Sequence, residues 1–277
     1  MSLRLHNWVI FLVSRILLKP EIRNIAEALY EYFREIDDYI DEADGDRDEK
    51  MRFLDQRIEF LDGIYRGDYT QPVVPLDREI LKVVRYDLAK GSHLRAAILR
   101  MFEVFRFDAA RKGRLITGSE ILASSRALSH SFVEMLLYFV NQGYEYKESD
   151  LLLAHACHLI HMIRDYFNDQ RLGYINIPKD EIARYNIKLD RTDDSNFRAW
   201  LRDRVYFIKR LLRRGEAGLS SIPDFRIRLI ARLFSFRYEI VLKRIEENGY
   251  QLQTRYSSKP MDLIRGSSKL LAGLLLP

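Results

Sequence analysis

The chain has 277 residues, 47% hydrophobic and 31% charged, a balance that suits a globular protein with a large core. Its net charge of +5 is spread over neighbouring acids and bases rather than gathered in a tail, which argues against a nucleic-acid binder. A single cysteine, Cys157, excludes an internal disulfide framework and fits a reducing, cytoplasmic setting.

The first apolar run, Trp8 to Leu18, is interrupted by Ser14 and Arg15. It is too short to span a bilayer and lacks a small-residue cleavage site, so it reads as a core helix. Ile25, Leu29, Tyr32, Phe33 and Ile36 then recur at helical intervals. The same helix carries Asp37 and Asp41, four residues apart and therefore one turn apart on one face. Like charges so placed repel, and a solvated helix gains nothing from them. Tyr30 and Arg34 fall on the same face. A guanidinium and a phenol beside two carboxylates suit a diphosphate, since Arg pairs with phosphate oxygens and the phenol can donate. The plainer reading is a surface helix with Arg34 and Asp38 as an ordinary ion pair, continued by the acids Glu42, Asp44 and Asp46.

Helical spacing continues through Leu81, Val84 and Leu88, then Leu94, Ile98, Met101, Phe102 and Phe105. No segment alternates with a period of two between hairpin turns. Breaks are expected at Gly45-Asp46, from Tyr69 to Pro75, from Gly113 to Gly118 and from Gly173 to Pro178. Further breaks are expected from Asp190 to Ser195, from Gly215 to Pro223 and from Ser257 to Pro260. The expectation is about eight to ten helices in one all-α domain covering residues 1–277, with no fixed-period repeat.

A second polar stripe follows. His158, His161, Asp165 and Asp169 share one face of a helix whose other positions are Leu159, Ile160, Met162 and Ile163, with Arg164 beside the first aspartate. Polar groups on one inward face of an apolar helix are costly unless paired, so they point to a site. Two acid pairs far apart in sequence suggest two helices facing each other across a cavity with divalent cations between them. Mg²⁺, or Mn²⁺ in its place, takes a few carboxylates together with substrate phosphate oxygens. The histidines could instead ligate zinc or iron with the carboxylates, or be satisfied core residues. The basic cluster Lys209-Arg210 with Arg213-Arg214 reads as a solvated helix face, and the final run Leu270 to Leu276 as a segment docked on the protein rather than touching a membrane.

Met162-Ile163-Arg164-Asp165-Tyr166-Phe167-Asn168-Asp169 is followed by Gly173-Tyr174-Ile175-Asn176-Ile177-Pro178 and Asp180-Glu181-Ile182-Ala183-Arg184-Tyr185. This run closely resembles the second aspartate-rich region of the squalene and phytoene synthase family. The first region is similar to that family's Tyr-x-x-x-Arg-x-x-Asp-Asp-x-x-Asp, met by Tyr30, Arg34, Asp37, Asp38 and Asp41. The C-terminal third resembles it through Glu216 to Pro223, Tyr238, Asn248-Gly249-Tyr250 and Arg255. The resemblance implies an isoprenoid-synthase helical bundle around a central cavity. Mg²⁺ would be held by Asp37, Asp41, Asp165 and Asp169, with the diphosphate held by Arg34, Arg164 and Arg255, supporting contacts from Tyr30 and Tyr238, and Asp38, His158 and His161 as further substrate-binding positions. The implied reaction joins two allylic diphosphates, farnesyl or geranylgeranyl, head to head into a squalene-, dehydrosqualene- or phytoene-type product. NADPH use stays open, because family members that use it lack a nucleotide-binding glycine loop, as this chain does. Peripheral membrane contact and oligomeric state stay open as well.

Three departures accompany the resemblance. The central segment Ala123 to Phe132 lacks the family's Tyr and carries Arg126 and His130. Asn7-Trp8-Val9-Ile10-Phe11 stands in place of a Ser-rich phosphate-contacting run, and His161 stands where an Asn is expected. These leave a single-substrate terpene synthase, a prenyl diphosphate phosphohydrolase, one half-reaction of squalene formation or a non-catalytic relative as alternatives.

Overall fold

A computed structural model describes residues 18–42, 46–69, 71–72, 74–140 and 143–256. Ten helices are found among them and no strand. They are α1 (Pro20–Glu42), α2 (Arg47–Arg66), α3 (Asp77–Leu88), α4 (Arg95–Arg111), α5 (Gly118–Val140), α6 (Glu148–Arg164), α7 (Tyr166–Leu172), α8 (Lys179–Tyr185), α9 (Ser195–Leu219) and α10 (Phe225–Glu247). None of the described helices is long and apolar enough to cross a membrane. The apolar run ending at Leu18, apart from Leu18 itself, the segment Asn7 to Phe11, the break at Ser257 to Pro260 and the run Leu270 to Leu276 lie outside the described residues.

The chain gathers into two compact units. One holds the chain up to Lys112 together with His130–Tyr144, the other Gly113–Ser129 together with the chain from Glu145 onward. In the first unit, α1 packs on α3 and α4, and α2 packs on the same two helices. Tyr32, Ile36 and Ile40 of α1 are fully buried, with Leu54 and Leu61 of α2, Ile80 and Val84 of α3, and Ile98 and Phe102 of α4. The helical stripe read from the sequence is thus the core face of α1. Pro20 begins this helix, a position where its missing N–H costs nothing. Two buried carboxylates fasten the unit. Asp77 accepts from Arg57 at 2.6 Å and from the Val74 amide at 2.8 Å. Asp87 accepts from the Tyr65 hydroxyl at 2.6 Å and from the Leu94 amide, at the start of α4, at 3.1 Å. Acids taken out of water in this way hold their place only because each is hydrogen-bonded.

In the second unit, α6 lies against α9 and α10, and α8 packs on α9. Leu159, Ile160 and Ile163 of α6 are buried, as are Trp200, Leu201, Val205, Ile208 and Leu212 of α9. Trp200 donates to Glu181 of α8 at 2.5 Å. Most expected breaks fall between helices. The stop after α7 is made by Gly173, whose φ of 92° is left-handed and favours glycine. The expected break from Gly215 to Pro223 is present but opens later than its first residue. Gly215 does not end a helix, since α9 continues to Leu219 and stops at Ser220. A Cβ at Gly215 would lie 2.8 Å from the Leu153 backbone nitrogen, so the glycine is there to let α9 approach α6. A stop between Val140 and Glu148 was not anticipated.

Candidate active site

The first acid stripe sits on the last turns of α1, where a helix presents unpaired carbonyls and the negative end of its dipole. Asp37 and Asp41 add charge of the same sign there, and the last turn of α1 contains no basic residue. Compensation comes from other parts of the first unit. The buried Lys50 of α2 donates from Nζ to the Ile40 carbonyl at 2.7 Å, and Lys112, just after α4, donates to the Asp41 carbonyl at 2.7 Å. Arg34 bridges the acids, donating to Asp37 at 3.1 Å and to Asp38 through both Nε, at 3.2 Å, and Nη2. Tyr30 lies near enough to contribute to the raised pKa of Arg34. The Arg34–Asp38 ion pair expected of a plain surface helix is therefore present, but it is shared with Asp37.

The carboxyl of Asp37 is pushed up to about 7, by loss of hydration and then by repulsion from Asp41, with Asp108 and Asp38 adding to it and Arg34 opposing. Its side chain is still 41% exposed, so water screens part of this push. The charged form of Asp37 is thus under-compensated despite its arginine. A cation placed beside two such carboxylates would relieve that repulsion, so the donor set fits a hard divalent ion.

The second stripe is built differently. α6 ends at Arg164, and Asp165 sits at the junction with α7 at φ −95°, ψ 8°, a sparsely populated backbone region common at active sites. The amide of Asp165 still bonds to the His161 carbonyl at 3.0 Å, and that of Asp169 to the Asp165 carbonyl at 2.9 Å. The single helix expected across His158 to Asp169 is therefore interrupted without losing the one-turn offset of its acids. Arg164 grips Asp165 with two bonds, 2.7 and 2.6 Å, and His161 Nε2 lies 2.9 Å from the same carboxylate. On the other side of the ring, Nδ1 of His161 lies 3.5 Å from the Tyr238 hydroxyl, so the imidazole links Asp165 to that phenol. Arg164 stacks over the Tyr238 ring at 5.7 Å. Burial opposes ionisation of Asp165, yet the bonds and charges of Arg164 and His161 outweigh it and hold the carboxyl well below the usual range. Burial also pushes the Tyr238 phenol up, against the pull of Arg164. Asp169 accepts from Asn176 Nδ2 at 2.6 Å.

The structure thus joins Tyr30, Arg34, Asp37, Asp38 and Asp41 in one unit, and His161, Arg164, Asp165 and Tyr238 in the other. His158 is partly buried one turn before His161, and Arg255 is exposed. No described residue ties Arg255 to Asp165. Among the described residues, no three His, Cys, Asp or Glu side chains gather as a ready-made metal cage, whether for the magnesium or for the zinc or iron reading. A Mg²⁺ ion that brings substrate oxygens and water needs no such cage. An open cleft of about 350 Å³ at the start of α9, lined by Asp193, Ser195, Arg198, Ala199, Arg202 and Tyr250, contains none of the expected site residues.

The sequence model of the squalene/phytoene synthase family matches residues 6–262. The chain belongs to the squalene/phytoene synthase family. It is an enzyme of the prenyltransferase type that family contains. Solved structures agree on the fold. A dehydrosqualene synthase in complex with ligand superposes with a TM-score of 0.75 at 17% identity, over 95% of this chain and 91% of that one. The squalene synthase HpnC from Alicyclobacillus acidocaldarius superposes with a TM-score of 0.69 at 20% identity, over 87% of this chain and 89% of that one. No curated protein sequence matches.

Within the family frame, sequence reasoning did not single out several residues that shape the site. Asn176 was noticed only as part of a motif, and its bond to Asp169 needs the loop after α7 to fold back. Tyr256 is raised by burial and also feels Asp165. Lys50, Lys112 and Asp108 gave no signal, because each acts on the first acid pair from another helix or its flank. Arg126, an apparent intruder in the central helix, is exposed and pairs with Glu148 at 2.6 Å. It is a surface ion pair.

Proposed function

We propose that this enzyme condenses two allylic prenyl diphosphates head to head, with Asp37 and Asp41 as one metal-binding pair and Asp165 and Asp169 as the other. The carrying observation is the placement of Asp37 and Asp41 one turn apart on a helix end anchored from outside by Lys50 and Lys112, with Arg34 bonded to Asp37. When bound, Mg²⁺ neutralises the diphosphate and promotes its departure. The protein's own groups do the rest. Arg34 and Arg164 already lie on the aspartates and can swing part of their five donors onto phosphate oxygens. His161 and Tyr238 fix the carboxylate of Asp165 and place a phenol beside it. In the reading implied by the family resemblance, one donor ionises and releases its diphosphate, the double bond of the second attacks the cation, and loss of a proton leaves a cyclopropyl diphosphate. A second ionisation releases the remaining diphosphate, and the rearranged cation becomes the hydrocarbon by losing a proton, or by taking a hydride where NADPH takes part. Such a reaction calls for aromatic faces that stabilise the developing positive charge and for the exclusion of water from it.

The exposed position of Arg126 removes one of the reasons for favouring an altered, single-substrate chemistry. Purified protein with Mg²⁺ or Mn²⁺ should release pyrophosphate from farnesyl or geranylgeranyl diphosphate and yield a thirty- or forty-carbon hydrocarbon by mass spectrometry. Assays with and without NADPH separate a squalene product from a dehydrosqualene one. Farnesol or a cyclic terpene as sole product would overturn the condensation.

A further inference from the structure

We propose that the outward face of α9 docks on an anionic lipid surface. Along this helix Arg202, Tyr206, Arg210 and Arg213 recur every three or four residues and are exposed, flanked by Phe207 and Arg214. The stripe runs for about 17 Å, at the helical rise of about 1.5 Å per residue. The opposite face, with Val205, Ile208 and Leu212, is buried against the unit. Tyr206 is 62% exposed and Phe207 44%, and they are the only sequence neighbours among the large apolar side chains left exposed in the described residues. Lys209 is held by Glu246 at 2.8 Å and Arg204 by Glu181 at 3.4 Å. Asp203, the acid on this arc, is engaged by Tyr185 and Arg202. No described residue pairs with Arg210, Arg213 or Arg214.

Unpaired arginines around two exposed aromatic rings match the chemistry of a bilayer surface. Guanidinium groups meet lipid phosphates, and the rings sit at headgroup depth. A nucleic acid would also take arginines. The choice of lipid rests on the proposed reaction, whose donors and products are themselves amphiphilic or oily, so that a membrane is their reservoir.

The test is flotation of the full chain with vesicles, without substrate. Wild-type protein should bind phosphatidylcholine vesicles containing about a third phosphatidylglycerol and ignore pure phosphatidylcholine, with binding weakened by salt. The variant R210E/R213E/R214E should lose about a hundredfold or more in partitioning, and Y206S/F207S about tenfold. Both should keep wild-type helicity and turnover of detergent-dispersed substrate. Equal binding to neutral and anionic vesicles, unchanged binding by the triple variant, or tighter binding to duplex DNA than to anionic vesicles at the same salt would each overturn the proposal. Vesicle binding is read apart from catalysis, so protein that floats but turns over no prenyl diphosphate defeats the reaction and not this surface.

Discussion

Substituting Lys50 by Met tests the idea that the first acid pair is held from outside its own helix. Lys50 is 2% exposed and its Nζ donates to the Ile40 carbonyl at 2.7 Å, one residue before Asp41. Met keeps most of the volume and removes the charge and the donor. The lost charge-assisted bond is worth about 1.5–3 kcal/mol, and the lost cation at a helix C-terminus about 0.3–1 kcal/mol more. Relief from burying an ammonium offsets part of this. The net expectation is about 1–3 kcal/mol of destabilisation, a fall in Tm of about 2–5 °C for a chain of this size. Circular-dichroism melts and urea titration measure it. The last turn of α1 would fray with Asp37 and Asp41 on it. Turnover should fall by up to about a hundredfold, the cost of about 1 Å of misplacement at a reacting centre. Lys50→Arg, which keeps a donor and the charge, should recover part of both. A Met variant as stable and as active as wild type would refute the reasoning.

Asp77→Ala should cost about 3–5 kcal/mol in urea unfolding, because it strands Arg57 beside a fully buried position that also holds the Val74 amide. Gly215→Ala should destabilise by about 1–3 kcal/mol, since its methyl meets the backbone of Leu153 rather than a yielding side chain; a neutral result would mean the two helices can separate freely. Asp37→Asn, in metal-free protein, should raise stability at pH 8 and change it little near pH 4. A carboxyl raised to about 7 binds its proton more tightly folded than unfolded, so wild-type stability declines as pH rises from about 4 through 7. Equal effects of Asp37→Asn at both pH values would count against the raised carboxyl.

What the sequence made legible was periodic. The apolar stripe Leu29, Tyr32 and Ile36 forecast the buried face of α1, and the four-residue offset of the aspartates survives in both stripes, even across the interruption at Asp165. Such signals are local, carried by one helix and readable along it. Gly215 shows where local reading fails. A glycine between helical stretches has the same appearance whether it ends a helix or admits a neighbour, and only the proximity of Leu153 decides.

The two acid pairs differ in a way that spacing alone could not show. Asp165 is bonded by Arg164 and His161 and stays charged, whereas Asp37 shares one arginine with Asp38, faces Asp41, and is raised. Identical spacings thus give one pair whose first carboxylate is already held by Arg164 and His161, with Asp169 bonded by the neutral Asn176 amide, and one pair still in need of charge. An entering ion with its diphosphate gains more at the first pair, where it relieves repulsion, than at the second, where it must displace a guanidinium bonded at 2.6 Å. The first pair should therefore hold the ion more tightly. Asp41→Asn should weaken the magnesium dependence of turnover more than Asp169→Asn does, and the reverse order would show that Arg164 leaves Asp165 when substrate arrives.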